Sequence, residues 1–368
     1  MPNKFYAHTP PSEEPNRWHE LSDHLRCVAA QAEKFAAKLK VDQLGKYAGL
    51  WHDLGKYRPE FQQYLEDCRA ADSTGSKKKR RGPPHAVQGA VLAQKYCHFL
   101  YPIIYGHHSG LPDLETTDLE DARGFDSSEQ AIAQAEKDLG NLYPEGDLDT
   151  LLEEYLEDSG AQEVLMRFLF SCLIDADHLD TEKHFEKSNA ESRANFNRPS
   201  IQALWERFDQ SHQAFMQRLQ QTDKDREEVN VLRAEIIEAC KEAAEQPAGI
   251  FRLAVPTGGG KTLSGLCFAL RHCLTPKNQE RGFQRVIVAV PYTSIIEQTV
   301  SNYRKMLGKD AVLEHHSAIK ADKAPKNEVN SFNQTDEGAQ PEQAQARLVT
   351  QNWDAPLVVT TTVQLFES

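Results

Sequence analysis

The chain has 368 residues, of which 39% are hydrophobic and 26% are charged. This length and composition favour two domains with their own cores and exclude a disordered protein. No apolar run approaches the ~20 residues that a membrane helix needs, and the N-terminal residues lack the features of a secretory signal, so we expect a cytoplasmic protein without membrane contact. The net charge of −13 excludes a protein that coats nucleic acid over its whole surface, because phosphates are attracted by local positive potential.

Amphipathic helices are predicted up to about residue 220. Apolar residues recur at three- and four-residue steps over residues 21–39, which is typical of a helix packed against a core. A denser apolar run over residues 161–174 predicts a helix buried on most sides. Residues 113–158 are acidic with few apolar positions, which indicates an exposed insertion. The basic run 77–81 fits a nucleic-acid contact and a solvated loop equally well.

Histidine and aspartate recur in five short segments of this helical part. The segments are SDHL, WHDLGK, PPHAV, GHHSG and DADHLD, and their candidate metal ligands are His24, His52, Asp53, His85, His107, His108 and Asp177. Imidazole and carboxylate together suit Mn, Fe, Co, Ni or Zn better than calcium. His24 flanks the apolar stripe, and a ring that points inward there avoids a desolvation cost only if it is bonded or metallated. The segments predict a divalent-metal hydrolase.

The last segment offers two aspartates, and geometry allows only one of them at the site. Asp175 and Asp177 are two residues apart, so on a helix they point about 200° away from each other. Asp177 continues the apolar line of this helix through Leu173 and is the predicted ligand. Asp175 remains the alternative.

A change of pattern near residue 249 marks a domain boundary. Residues 221–248 read as a charged helix and linker, after which β-branched runs (IFRLAV, RVIVAV and PLVVTTTVQL) alternate with helices. This alternation predicts a parallel sheet buried on both faces. The predicted domains are therefore 1–220, a linker over 221–248, and an α/β domain over 249–368.

The segment VPTGGGKT, residues 255–262, has the chemistry of a phosphate-binding loop. The candidate nucleotide-binding residues are Thr257, Gly258, Gly259, Gly260, Lys261 and Thr262. Glycine amides can surround phosphates, the lysine reaches the β and γ oxygens, and the threonine can bind Mg²⁺ at a helix N-terminus. We therefore expect ATP with Mg²⁺ as a ligand, although a loop that no longer supports hydrolysis fits the same residues.

The histidines and aspartates follow the order H…HD…H…HH…D, and the chain also contains HDLGK, YAHT, WHELSDHLRCVA and the AD of DADHLD. This pattern resembles the HD nuclease domain of Cas3 proteins from type I CRISPR systems. The resemblance covers most of residues 5–190. PTGGGKT and VPYTSIIEQT resemble motifs I and Ia of superfamily 2 helicases. Together these resemblances imply an all-α HD domain followed by an incomplete α/β RecA-like domain.

The resemblance also implies roles for the candidate ligands. His24, His52, Asp53 and Asp177 would hold one metal ion, and Asp53, His85, His107 and His108 would hold the second. Asp53 would bridge the pair, and Lys56 would stabilise a phosphate. The ions implied are Mn, Fe, Co, Ni or Mg.

The function implied is that of a metal-dependent endonuclease or exonuclease that degrades single-stranded DNA in type I CRISPR interference. In complete family members an ATP-dependent 3'-5' helicase would feed the nuclease with the strand displaced by a Cascade-type effector complex. Two alternatives stay open: an HD-domain nucleotide phosphohydrolase with a regulatory P-loop domain, and a non-catalytic NTP-dependent adaptor. Motif Ia disfavours the nucleotide phosphohydrolase, and the intact ligand set disfavours the adaptor.

Residues 249–368 contain no D-E-x-H box of the motif II type. ATP hydrolysis in helicases of this type needs that carboxylate and an arginine from a second RecA-like domain. We therefore expect at most weak nucleotide binding and no DNA-stimulated ATP turnover from this chain. The missing motif fits either a fragment of a longer protein or a natural truncation.

Overall fold

The computed structural model of the protein describes residues 4–11, 13–73, 82–112, 125–155, 158–194, 198–222, 227–280, 282–316, 353 and 355–367. The chain forms two compact units, Met1–Ala190 and Glu191–Ser368, and each has its own hydrophobic core. Within the described ranges, no helix combines the length and apolar character needed to cross a membrane. The predicted fold class, an all-α domain followed by a partial α/β domain, is confirmed.

The first unit is almost entirely helical. Strands β1 (Tyr6–His8) and β2 (His19–Glu20) pair antiparallel near its N-terminus. Its helices are α1 (Leu21–Ala36), α2 (Asp42–Trp51), α3 (Pro59–Ser73), α4 (Val87–Tyr96), α5 (Tyr101–Gly106), α6 (Phe125–Leu139) and α7 (Ser159–Phe185), and α8 (Lys187–Ala194) spans the boundary between the units.

Helices α1 and α2 approach each other closely enough to bring two histidines together. The predicted apolar stripe is buried along α1. On α2, Gly49 faces the backbone of α1, where an added Cβ would lie 2.7 Å from the Cα atom of Ala29, closer than side chains pack. Because no side chain separates the helices here, His24 on α1 meets His52 just after α2, with ring centroids 5.4 Å apart.

Helix α7 carries the aspartates of DADHLD. Its N-terminus is capped by Asp158, whose side chain accepts hydrogen bonds from the amides of Gly160 and Ala161. The prediction that this helix is buried on most sides is wrong, because Val164 and Phe168 are about half exposed. The buried positions follow one face, and that face points toward the site described below.

The prediction that the acidic segment 113–158 is an exposed insertion is wrong for the part of it that the structure describes. Ala131 and Ala135 of helix α6 and Leu148 of the 3₁₀ turn Leu148–Leu152 lie in the core of the first unit, as does Leu142 between these two elements. The apolar positions are sparse but fall on one face of α6, so a few small residues suffice to anchor it. Residues 113–124 and the basic run 77–81 lie outside the described residues.

The second unit combines helices with a parallel sheet. Strands β3 (Val286–Val290), β4 (Val312–His315) and β5 (Leu357–Thr361) are arranged in the order β3–β5–β4. The helices are α9 (Ile201–Gln221), α10 (Glu228–Ala243), α11 (Lys261–Cys273), α12 (Pro276–Glu280), α13 (Thr293–Leu307) and α14 (Thr362–Glu367). The central strand β5 is buried along its whole length, as predicted for a sheet covered on both faces.

The predicted strand IFRLAV does not form. Residues 250–255 are not in a strand, and Ile250, Phe251 and Leu253 are exposed. β propensity describes how a side chain fits a half-buried pleated surface, and this segment meets no such surface in the described structure.

Helix α9 belongs to the second unit, so the first unit ends at Ala190 rather than at residue 220. Leu204 and Phe208 of α9 lie in the same core as Leu266 of α11 and Val300 of α13. The amphipathic pattern of α9 predicts a helix but does not identify the core against which it packs.

Candidate metal centre

The seven predicted metal ligands come together in the first unit, in two groups that share Asp53. The first group is His24, His52, Asp53 and Asp177, and the second is Asp53, His85, His107 and His108. Within each group, one ligand atom from each residue lies within 4.8 Å of the others. The side chains come from α1, the turns after α2 and α5, the segment before α4, and α7, so the site depends on the packing of the whole unit.

Four imidazole rings of the site are fixed through their Nδ1 atoms. Nδ1 of His52 donates to the carbonyl oxygen of Gly49 (2.8 Å), Nδ1 of His85 to that of Pro83 (3.0 Å), and Nδ1 of His107 to that of Ile104 (2.6 Å). Nδ1 of His24 donates to a carboxylate oxygen of Asp180 (2.7 Å). Because these oxygens only accept, the hydrogen of each neutral ring is on Nδ1, and Nε2 is the nitrogen left to bind a metal ion.

The freed nitrogens fit a metal ion. Nε2 of His24, His52 and His107 is buried and makes no well-aligned hydrogen bond among the described residues. A buried acceptor without a partner is costly, and an imidazole whose Nδ1–H is held by an oxygen is the usual form of a metal-bound histidine. The ring orientations therefore suit divalent-metal coordination.

Asp53 lies between the two groups, with one carboxylate oxygen toward each. Its Oδ2 atom is 3.5 Å from Nε2 of His24 and 3.3 Å from Nε2 of His52. Its Oδ1 atom is 3.4 Å from Nε2 of His85 and 3.3 Å from Nε2 of His107. This placement suits a carboxylate that bridges two ions.

The charge on Asp53 is stabilised by its surroundings. Burial would raise the pKa of Asp53, but positive groups, His52 first and then Lys56, hold the pKa well below its usual value. Lys56 lies in the 3₁₀ turn Leu54–Tyr57 and places its Nζ atom 2.6 Å from Oδ2 of Asp53. The lysine predicted from the HDLGK segment therefore lies at the centre of the site.

The carboxylates of the first group favour the protonated form of His52. Burial opposes the charged form of His52, but the carboxylates of Asp53 and Asp177 outweigh burial and raise the pKa of His52 to about 10. Burial likewise opposes the charged form of Asp177, yet its contact with His52 lowers the pKa of Asp177 below its usual range. A metal ion entering this group must therefore displace a proton.

The second group is more open, and burial lowers the pKa of two of its histidines. The side chain of His85 is 16% exposed, and His108 is exposed. Burial lowers the pKa of His85, and burial together with nearby His107 lowers the pKa of His108 to about 3. Nε2 of His85 and Nε2 of His108 are 2.6 Å apart, and both nitrogens lie on the open side of the site.

We expect single replacements of His85, His107 or His108 by glutamine to empty mainly the second group. Each removes a nitrogen that lies beside Oδ1 of Asp53 or beside another ring of that group, while the first group keeps its four side chains. Metal affinity at the second group should fall by more than about 10–100-fold, which is the loss typical of mutating a residue that only hydrogen-bonds to a metal ligand. Elemental analysis after dialysis should find one ion fewer per chain, whereas a variant that keeps all its metal, or unfolds by circular dichroism, would favour a structural role.

Four residues around His24 were missed by the sequence reasoning. They are His8, His19, Asp180 and His184, none of which is among the predicted metal ligands. His8 and His19 lie in contact with His24, and Asp180 lies three residues beyond Asp177. Two aspartates at that spacing share one helix face, a signal that the sequence does contain.

The phosphate-loop segment has a conformation that requires its glycines. Gly258 and Gly260 have φ values of +84° and +86°, in the left-handed region that glycine adopts without strain. A Cβ on Gly259 would overlap the side chain of Val255. Helix α11 begins directly at Lys261, and the guanidinium of Arg233 donates to the carbonyl oxygen of Gly258 (2.8 Å).

We expect Lys261→Ala to abolish the weak ATP binding that is predicted from the sequence of this loop. Lys261 is exposed at the first turn of α11, where its ammonium would reach the β and γ phosphates. Fluorescence anisotropy of a labelled ATP analogue with Mg²⁺ measures the effect, with Lys277→Ala on α12 as an exposed-lysine control. Equal binding by wild type and Lys261→Ala would show that the loop is not the nucleotide site.

A helical domain that gathers histidines around a shared HD aspartate has the arrangement of an HD domain, and the second unit adds a phosphate-loop segment and a parallel sheet. The family model described as "Cas3, HD domain" matches residues 7–254, which is more than half of the chain. The chain therefore belongs to the Cas3 HD-domain family, and the predicted resemblance is confirmed. A second model, described as "Type III restriction enzyme, res subunit", matches residues 208–367.

The chain is also similar to the CRISPR-associated nuclease/helicase Cas3 of Haloferax volcanii. The two are 24% identical over 372 residues, which cover 86% of this chain and 38% of that protein. The chain thus spans less than half the length of the curated relative that it matches.

Proposed function

We propose that the first unit is a metal-dependent nuclease that degrades single-stranded DNA. One ion would be held by His24, His52, Asp53 and Asp177, and the other by Asp53, His85, His107 and His108, with Mn, Fe, Co, Ni or Mg as candidate ions. The observation that supports this most strongly is the position of Asp53, which directs one carboxylate oxygen toward each group. A nucleotide phosphohydrolase uses similar ligands, and family membership favours the nuclease.

Two ions at such a site supply an activated water and stabilise the attacking and leaving oxygens of a phosphodiester. The chain's own part is to hold the ligands in place. The Nδ1 bonds keep the imidazole rings oriented, Asp53 joins the two groups, and Lys56, beside Asp53, adds a positive charge that would bind a phosphate oxygen of the substrate.

The burial of the site favours a single strand over a duplex. In the first group His24 and His52 are fully buried and the side chain of Asp177 is 14% exposed. The more open residues are His85 and His108, so a phosphodiester would enter from their side. A flexible single strand can bend into such a recess, whereas a stiff duplex resists local bending.

The second unit extends the proposal to nucleotide and protein partners. Family membership and the segment from Thr257 to Thr262 support ATP with Mg²⁺ as a ligand. We propose that the DNA strand is presented by a Cascade-type CRISPR effector complex, as the family resemblance implies. In the complete protein an ATP-dependent helicase would move that strand toward the nuclease.

Labelled DNA substrates test the nuclease proposal. Single-stranded DNA should be cut with Mn²⁺, Co²⁺ or Ni²⁺ and without ATP, and a duplex of the same sequence should resist. EDTA should stop the reaction. Equal cutting after EDTA treatment would overturn the metal mechanism, and turnover of nucleotides without cutting of DNA would favour a phosphohydrolase.

A further inference from the structure

Asp180 lies behind the first metal group and contacts two histidines at once. It is on α7, one turn beyond Asp177, and it is buried. Its Oδ2 atom accepts from Nδ1 of His24 (2.7 Å) and lies 3.2 Å from Nε2 of His19. A buried carboxylate with two imidazole partners is satisfied by hydrogen bonds and not by solvent.

The bond from His24 decides which of its ring nitrogens faces the metal group. A carboxylate only accepts hydrogen bonds, so the hydrogen of the neutral ring is on Nδ1. Nε2 of His24 then keeps its lone pair, and this atom lies 3.5 Å from Asp53 and 3.4 Å from Asp177. A charged acceptor also makes the imidazole a more basic ligand than a carbonyl acceptor would.

His19 and His8 continue the same network into the β1–β2 segment. With its Nε2–H directed at Asp180, neutral His19 has its lone pair on Nδ1, which is 3.0 Å from Nδ1 of His8. His19 also stacks on His184, with centroids 4.4 Å apart. The YAHT and WHEL segments are thereby bonded to the back of the first metal group.

These bonds argue against a third metal ion among His8, His19 and His24, whose ring nitrogens also come within 4.8 Å of one another. Nδ1 of His24 is already bonded to Asp180, and the Nδ1 atoms of His8 and His19 face each other. Of this trio, only Nε2 of His24 is left buried without a hydrogen bond in the described structure, and it points to the first group.

We propose that Asp180 is a positioning residue that selects the Nδ1–H form of His24 and so prepares Nε2 to bind the first metal ion, with His19 holding Asp180 in place from the β1–β2 segment. The proposal rests on the proposed metal-dependent function. It gives the N-terminal segment a role in the nuclease site that differs from direct metal binding.

Metal titration of the metal-free protein tests the proposal. Asp180→Asn keeps an acceptor oxygen but removes the charge, and it should weaken binding of Mn²⁺ at the first group by about 10–100-fold while leaving the second group unchanged. Asp175→Asn, at an exposed position of the same helix, should bind like wild type. If Asp180→Asn and Asp175→Asn bind alike, the proposal is wrong.

The titration also separates this proposal from the proposed function. If Asp53→Ala binds metal as well as wild type does, the metal-centre assignment itself fails. Should Asp180→Asn not fold, nitrogen-15 NMR of zinc-loaded wild-type protein replaces it, with the His24 signals assigned through His24→Gln. A hydrogen on Nδ1 of His24 supports the proposal, and a hydrogen on Nε2 overturns it.

Discussion

Replacing Asp53 by alanine is expected to remove both metal ions and to lower DNA cleavage by about 10²–10⁴-fold. Both carboxylate oxygens of Asp53 are directed at a ligand group, so one substitution removes a ligand from each group. Losing metal-based stabilisation of the transition state costs several kcal/mol, and each tenfold in rate is about 1.36 kcal/mol. Elemental analysis and cleavage of labelled single-stranded DNA measure the two effects.

The control must separate loss of metal from loss of fold. Asp53→Ala leaves buried Lys56 without its carboxylate partner, and breaking a buried ion pair costs about 3–5 kcal/mol. Asp53→Asn preserves the shape and should lose metal with less damage to the fold, and Asp175→Ala should behave like wild type. A folded Asp53→Ala protein that retains two ions per chain would refute the bridging role.

Replacing Gly89 by alanine is expected to destabilise the first unit and to impair the second metal group. Gly89 lies in α4 against the end of α2, where an added Cβ would overlap the carbonyl oxygen of Trp51. Helix propensity alone would favour alanine by about 1 kcal/mol, but overpacking typically costs about 1–3 kcal/mol and more when backbone must move. The helix and the neighbouring His85 should shift away from Asp53.

Gly265→Ala is the matched control for this substitution. Gly265 lies in the interior of α11, where an added Cβ meets nothing within 4 Å, so alanine should stabilise the second unit by up to about 1 kcal/mol. Thermal unfolding of both variants, measured without metal because bound ions would stabilise the folded state, gives the comparison. A Gly89→Ala protein as stable as Gly265→Ala would contradict the close packing of α4 on α2.

The sequence predicts the ligands because their chemistry is unusual at buried positions. His24 beside an apolar stripe and His52–Asp53 at the end of an apolar helix can be accommodated only if bonded, and the structure brings them together. The choice of Asp177 over Asp175 followed from the helical angle, and Asp175 is exposed in the structure. Local periodicity was sufficient for His24 and Asp177 because both lie on regular helices.

Other features depend on partners that the local sequence does not identify. Asp180 and His19 are recognised only once α7 and the β1–β2 segment are packed beside α1. Residues 250–255 have the composition of a strand, but a strand also needs a neighbour with which to pair. The small apolar residues of α6 become core residues through the surface that they meet.

Digestion of a circular single-stranded DNA is the most direct test of the proposed nuclease. A circle has no ends, so only an enzyme that cuts internal phosphodiesters can linearise it. With Mn²⁺ and no ATP, the wild-type chain should convert the circle to linear and shorter products, and EDTA or Asp53→Asn should prevent this. If both this circle and a linear single strand stay intact under conditions in which wild-type protein binds two ions, or if Asp53→Asn cuts equally well, the account is contradicted.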